Sequence, residues 1–127
     1  MIEPEFLTLE DVLQIHEAQI ESFGGISGIR DQGLLESAVM MPQASFDGEY
    51  LHQNLFEMAA AYAFHLAENQ TFLDGNKRTA LVSALVFLDI NGFEILDQNM
   101  RLYDAMIAIA NRQMNKYDLA RLLEELS

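Results

Sequence analysis

Apolar residues recur at helical spacing through most of this chain. Leu9, Val12, Leu13, His16, Ile20 and Phe23 mark one face of a segment from about Thr8 to Phe23, the repeat of an amphipathic helix. Thr8 reads as its N-cap, Asp11 takes the capping-box position and Leu7 can staple onto Val12, so the start is marked as clearly as the face. Pro4 belongs to a short extended lead before it. His16 falls on the apolar face and reads as a packed structural histidine rather than a ligand.

Gly24-Gly25-Ile26-Ser27-Gly28 then breaks the pattern with glycines at three of five positions, a loop needing unusual backbone angles or close approach to another segment. It lacks the preceding strand of a dinucleotide fingerprint, which argues against phosphate binding by the glycines themselves. Asp31 caps a second helix through Gly33, Leu34, Leu35, Ala38 and Val39, and Pro42 ends it near Met41. Met40 and Met41 read as adaptable packing. Asp47-Gly48 between Phe46 and Tyr50 is a hairpin signal, so the polar stretch from Gln43 to Leu51 is expected to form a short two-stranded flap.

Two segments are apolar nearly all round and rich in alanine: Asn54 to Asn69, and Asn76 to Asn91. Both read as buried helices in close contact, the core pair of the fold. Asn91-Gly92 ends the second with glycine at C′. Phe93 to Leu96 is brief and extended. Asp97 is expected to cap a helix reaching about Asn111, with Leu102, Ala105, Met106, Ile109 and Ala110 inward. Asn115 opens a last helix with Leu119, Leu122, Leu123 and Leu126 on one face. The fold class is all-α, five or six helices in one compact domain over residues 1–127.

Composition narrows the function. The 127 residues include 20 acidic and 7 basic ones, a formal net charge of -13. This argues against nonspecific binding to nucleic acid or anionic membrane, which require positive surface. With no cysteine, disulfides, thiolate metal ligands and thiol catalysis are excluded. No secretory signal pattern opens the chain, and Lys77, Arg78 and Asp89 interrupt its longest apolar stretch, so a soluble cytoplasmic protein is expected.

The candidate chemistry lies between the core helices, in Gln70-Thr71-Phe72-Leu73-Asp74-Gly75-Asn76-Lys77-Arg78. Asp74-Gly75 supplies a turn, and Asn76, Lys77 and Arg78 fall in the first turn of the next helix. A helix start offers unpaired N–H groups and partial positive charge, where cations are normally disfavoured. Two adjacent cations there fit an anionic ligand or an ion-pair patch with Asp74, and the local residues leave both open. Phe72 is read as an apolar anchor plugged into the core. Asp74 is a hard oxygen ligand suited to Mg²⁺ or a cap, and Asn76 a phosphate contact or a cap.

This stretch resembles the signature of the death-on-curing (Doc) family, the toxin branch of the Fido fold that also holds the Fic AMP-transferases. The family pattern is His-x-Phe-x-Asp/Asn-Gly/Ala-Asn-Lys-Arg, matched here at Phe72, Asp74, Gly75, Asn76, Lys77 and Arg78. The resemblance extends to Phe23 through Gly28 with Asp31, and from Thr79 through Gly92. It implies a Fic/Doc-like helical bundle built on a central helix–loop–helix, with Mg²⁺ held by Asp74. It further implies an anion nest at Gly75 and Asn76, and ATP phosphates bound by Lys77 and Arg78. Lys77 replaces the glycine of the AMP-transferases, a difference that goes with γ-phosphate transfer to a threonine of elongation factor Tu and arrest of translation. The Gln43–Leu51 flap would position the target, and a Phd-like antitoxin would neutralise the toxin.

One position departs from the pattern. Gln70 stands where the family histidine takes the proton from the attacking hydroxyl. An amide orients but does not accept a proton near neutral pH. Loss of a general base costs about 10²- to 10⁴-fold, while phosphoryl transfer leans more on positioning and charge. Neither His65 nor Glu68 is expected to substitute. The reading is therefore an impaired Doc-like kinase. The alternatives are a non-catalytic nucleotide- or antitoxin-binding pseudoenzyme and, less favoured because of Lys77, a protein AMP-transferase.

Overall fold

Over residues 3–127, described here in a computed structural model, the chain forms six α-helices and one short hairpin. Helix α1 (Leu9–Phe23) opens on a complete capping box, with Asp11 N–H donating to Thr8 Oγ1 (3.1 Å) and Thr8 N–H to the Asp11 carboxylate (2.8 Å). Asp31 caps α2 (Gln32–Met40) through Leu34 N–H, and Pro42 turns the chain into one 3₁₀ turn, Met41–Gln43. Strands β1 (Ser45–Phe46) and β2 (Glu49–Tyr50) pair antiparallel around Asp47-Gly48. Both turn residues have positive φ (54° and 81°), as the right-handed twist of a two-residue hairpin demands.

The centre is α3 (Leu55–Glu68), capped by Asn54, packed along α4 (Asn76–Ile90) on one side and α6 (Lys116–Leu126) on another. Ala59, Ala60, Ala61 and Ala63 are fully buried. Their small side chains let the α3 and α4 backbones approach, so an added isobutyl group at any of them would cost roughly 1–3 kcal/mol in overpacking. Tyr62 is buried beside them, stacks obliquely on Phe87, and accepts a hydrogen bond from Leu7 N–H (2.8 Å) that ties the N-terminal lead to the core. Burial pushes its phenol well above the ordinary range. Helix α4 ends as expected: Gly92 (φ 95°) and the bonds Gly92 N–H to Asp89 and Phe93 N–H to Leu88 close its last turn.

Four expectations change. Helix α5 (Arg101–Ala110) starts four residues after Asp97, whose carboxylate nevertheless receives Arg101 and Leu102 N–H (2.9 and 2.8 Å) across the turn. Ala110 is exposed, not inward, because the helix ends there and turns toward solvent. Met40, read as packing, is 56% exposed at the end of α2. Phe23, on the predicted apolar face, is 66% exposed; at the last residue of α1 it extends past the core and lies under the Arg78 guanidinium (4.4 Å). No helix among the described residues is long and apolar enough to cross a membrane.

Candidate functional site

The loop between α3 and α4 is held from two sides. From within, the Asn76 amide folds back four residues. Its Oδ1 accepts Phe72 N–H (2.9 Å) and its Nδ2 donates to the Phe72 carbonyl (3.0 Å). Phe72, 1% exposed, plugs the core and stacks face to face on the buried His16 ring (3.8 Å, 6°). His16 Nε2–H in turn donates to the Asp74 carbonyl (2.9 Å). The apolar-face histidine of α1 is thus structural, and what it supports is this loop.

The glycine-rich segment closes a second side. Its end runs antiparallel to the loop, with an isolated bridge between Ile29 and Phe72, Arg30 N–H on the Thr71 carbonyl (2.8 Å) and Leu73 N–H on Gly28 (3.1 Å). Arg30 Nη2 also donates to the Asn69 carbonyl (2.8 Å) at the C-terminus of α3, where a cation suits the helix dipole. Gly25 has φ 120°, and a Cβ there would stand 2.7 Å from Asp74 Oδ2. The close approach read from the glycines is therefore to the Asp74 carboxylate, which accepts Ile26 N–H (3.2 Å) and Gly75 N–H (2.8 Å).

The start of α4 is unlike the others. Thr8, Asp31, Asn54 and Asn115 cap α1, α2, α3 and α6, and Asp97 serves α5. Gly75 (φ 75°) leads into α4 with no side-chain cap, and among the described residues the N–H groups of Asn76, Lys77 and Arg78 donate to no protein acceptor. These three residues belong to the wall of a cavity of about 520 Å³, lined by Ala67, Glu68, Gln70, Leu73, Asp74, Gly75, Asn76, Lys77, Arg78, Ile109, Ala110 and Arg112. The cations of the chain sort sharply. Arg101 and Arg121 pair with Glu125 and Asp118, Arg30 holds backbone carbonyls, and Lys116 donates to His65. The other three, Lys77, Arg78 and Arg112, have no carboxylate partner among the described residues, and all three line this cavity.

Every motif residue except Thr71 and Phe72, which are buried beneath it, lies on the cavity wall. The Asn76 amide is committed to Phe72 through Oδ1 and one of its two Nδ2 hydrogens, and its backbone N–H donates to no protein acceptor among the described residues. Glu68 is on the wall. His65 is not; its Nε2 accepts from Lys116 (3.1 Å) under α6, and burial and that ammonium push its imidazole down to about 4. No hairpin residue lines the cavity. Sequence reasoning missed Arg112, which follows α5 and reaches the motif only through the packing of α5 against α3 and α4.

The sequence profile of the Fic/DOC family matches residues 6–88, from the lead before α1 through most of α4. The chain belongs to the Fic/DOC family. Among curated relatives, a protein named Toxin Doc from Mycolicibacterium smegmatis is 41% identical over 125 residues, covering 97% of this chain and 92% of the relative. Another, named Protein kinase doc, from Escherichia phage P1, is 35% identical over 117 residues, covering 92% of this chain and 91% of the relative. Both alignments run past the profile, so the kinship includes α5 and α6. The compact helical bundle and its small hairpin are the fold this membership implies.

Asp74 is the one residue here offered as a magnesium ligand. Each of its oxygens accepts a single N–H bond and keeps a further lone pair, and the residue is exposed on the cavity wall. Among the described residues no three His, Asp or Glu side chains gather into a cage. A lone carboxylate beside an uncapped helix start and two cations fits Mg²⁺, which commonly takes one or two carboxylates and completes its octahedron with phosphate oxygens and water.

Proposed function

We propose that this protein is a Doc-type toxin of a toxin–antitoxin module, a Mg-ATP-dependent protein kinase scaffold whose proton-accepting position is filled by Gln70. The observation that carries the reading is the gathering, around the uncapped start of α4, of the three cations that have neither a salt bridge nor a side-chain hydrogen bond among the described residues, in a chain of net charge -13. An ion-pair patch would have placed carboxylates on Lys77 and Arg78. The names of the two relatives add toxin and kinase to that geometry.

In this reading the N–H groups of Asn76 to Arg78 receive phosphate oxygens, and Lys77 and Arg78 neutralise them. Phe23 beneath the Arg78 guanidinium restrains its direction. Asp74 holds Mg²⁺, which when bound offsets charge on the phosphate oxygens. Gln70, on the cavity wall in a left-handed conformation (φ 46°), orients the attacking hydroxyl by hydrogen bonding without taking its proton. The acceptor is a threonine hydroxyl, with elongation factor Tu as the target and a Phd-like antitoxin as the neutralising partner. Gln70 also supports a second reading, a pseudoenzyme that binds nucleotide or antitoxin without turnover.

Label transfer in a translation extract separates them. With γ-labelled ATP the protein should label a protein acceptor weakly, and Gln70→His should raise that transfer about 10²- to 10⁴-fold. No transfer from either protein despite ATP binding would establish the pseudoenzyme. Transfer from α-labelled ATP would overturn the kinase reading in favour of AMP transfer.

A further inference from the structure

Arg112 lies outside the motif and beyond the residues the family profile matches, yet it lines the same cavity as Lys77 and Arg78. Its backbone conformation is unusual. Among the described residues four non-glycine residues have positive φ, namely Asp47, Gln70, Met100 and Arg112. Gln70 and Arg112 both line this cavity. Asp47 is in the hairpin turn, where positive φ is required, but Arg112 (φ 60°) follows the end of α5, where glycine or asparagine is the low-strain choice. Such a conformation in a residue with a Cβ marks a position worth a functional explanation.

The side chain gains nothing evident from the protein itself. Arg112 makes no salt bridge and no side-chain hydrogen bond among the described residues, although Glu68 shares the cavity wall. The other two cations on the wall belong to α4, and Arg112 joins them from the turn after α5. A chain of phosphates is the ligand that uses cations supplied by separate elements, because its charge is spread along its length. A guanidinium also presents paired donors to phosphate oxygens.

We propose that Arg112 is a third cationic contact to the phosphate chain, making the site prefer nucleoside triphosphates over monophosphates. This rests on the phosphate-binding reading above. The α4 start and Lys77 hold the anion, and Arg112 adds affinity that grows with the number of phosphates.

Isothermal titration of the full chain with ATP, ADP, AMP and inorganic tripolyphosphate tests it, comparing wild type with Arg112→Gly, Arg112→Asn and Lys77→Ala. Glycine and asparagine both accept the left-handed backbone, so these variants should melt no lower than wild type. Arg112→Gly and Arg112→Asn should each bind ATP and tripolyphosphate about 10- to 100-fold more weakly, with AMP changed by about threefold or less. If both variants bind ATP and tripolyphosphate like wild type while Lys77→Ala binds weakly, the Arg112 assignment is wrong and the phosphate site stands. Equal losses for ATP, ADP and AMP with tripolyphosphate unaffected would place Arg112 on the nucleoside and overturn the assignment. If wild type binds none of the four, both the site and the assignment fall.

Discussion

Asn76→Ala separates a residue that shapes the loop from one that only contacts ligand. The wild-type amide satisfies both backbone groups of Phe72, whose ring is 1% exposed. Alanine strands that N–H and that carbonyl, each costing about 1–3 kcal/mol where water has poor access. Alanine's better helix propensity at the first position of α4 returns roughly 0.5 kcal/mol. The net loss should be about 1.5–5.5 kcal/mol. With a urea slope of about 1.5–2 kcal/mol/M for a domain of this size, the unfolding midpoint should fall by about 0.8–3.7 M. Asn76→Asp keeps the acceptor and loses the donor, so its midpoint should fall between the two. Chemical denaturation followed by far-ultraviolet circular dichroism reads this in the absence of nucleotide. A midpoint for Asn76→Ala within about 0.3 M of wild type would refute the reasoning; the side chain would then be free for ligand.

Gly25→Ala should cost about 2–4 kcal/mol through backbone strain at φ 120° and a Cβ 2.7 Å from Asp74 Oδ2. It should also weaken Mg²⁺-dependent more than Mg²⁺-independent ATP binding by displacing that carboxylate, which calorimetry with and without Mg²⁺ would show. His65 gives a pH signature. Its folded-state pKa, lowered to about 4 by burial and Lys116, lies below the unfolded value of 6.5. Protonation therefore favours the unfolded chain, and stability present above pH about 6.5 is lost as pH falls toward about 4. Discounted for partial solvent access, the loss is on the order of 1–2 kcal/mol. His65→Gln should reduce the acid-side slope by that amount in urea melts, and an unchanged slope would show that His65 does not titrate as described.

The starts of α1, α2 and α6 were legible because capping is local: Thr8 with Asp11, Asp31 with Leu34 and Asn115 with Asp118 each act within three residues. The cation-bearing start of α4 was legible for the same reason, since a turn followed by two cations is a short-range pattern. What needed the structure was the reach of distant segments. Gly25 is a glycine because Asp74 lies against it, and His16 is polar on an apolar face because the Asp74 carbonyl needs a donor. Arg112 comes to share a cavity wall with Lys77 only once α5 packs on α3 and α4. Nothing in a sequence window announces that an arginine will adopt left-handed backbone angles, or that Asn76 will spend its amide on Phe72. Phe23 misled because helical spacing says which face a residue takes, not whether the core extends to the helix end.

The central claim is that the start of α4 and its cations form a magnesium-assisted phosphate site. Calorimetric titration of ATP into the full chain, with and without Mg²⁺, tests it most directly when repeated on Lys77→Ala, Arg78→Ala and Asp74→Asn. Binding should be tighter with Mg²⁺, weaker by about tenfold or more in each cation variant, and nearly independent of Mg²⁺ in Asp74→Asn. ATP binding that is absent, or equal in wild type and all three variants, would contradict the account.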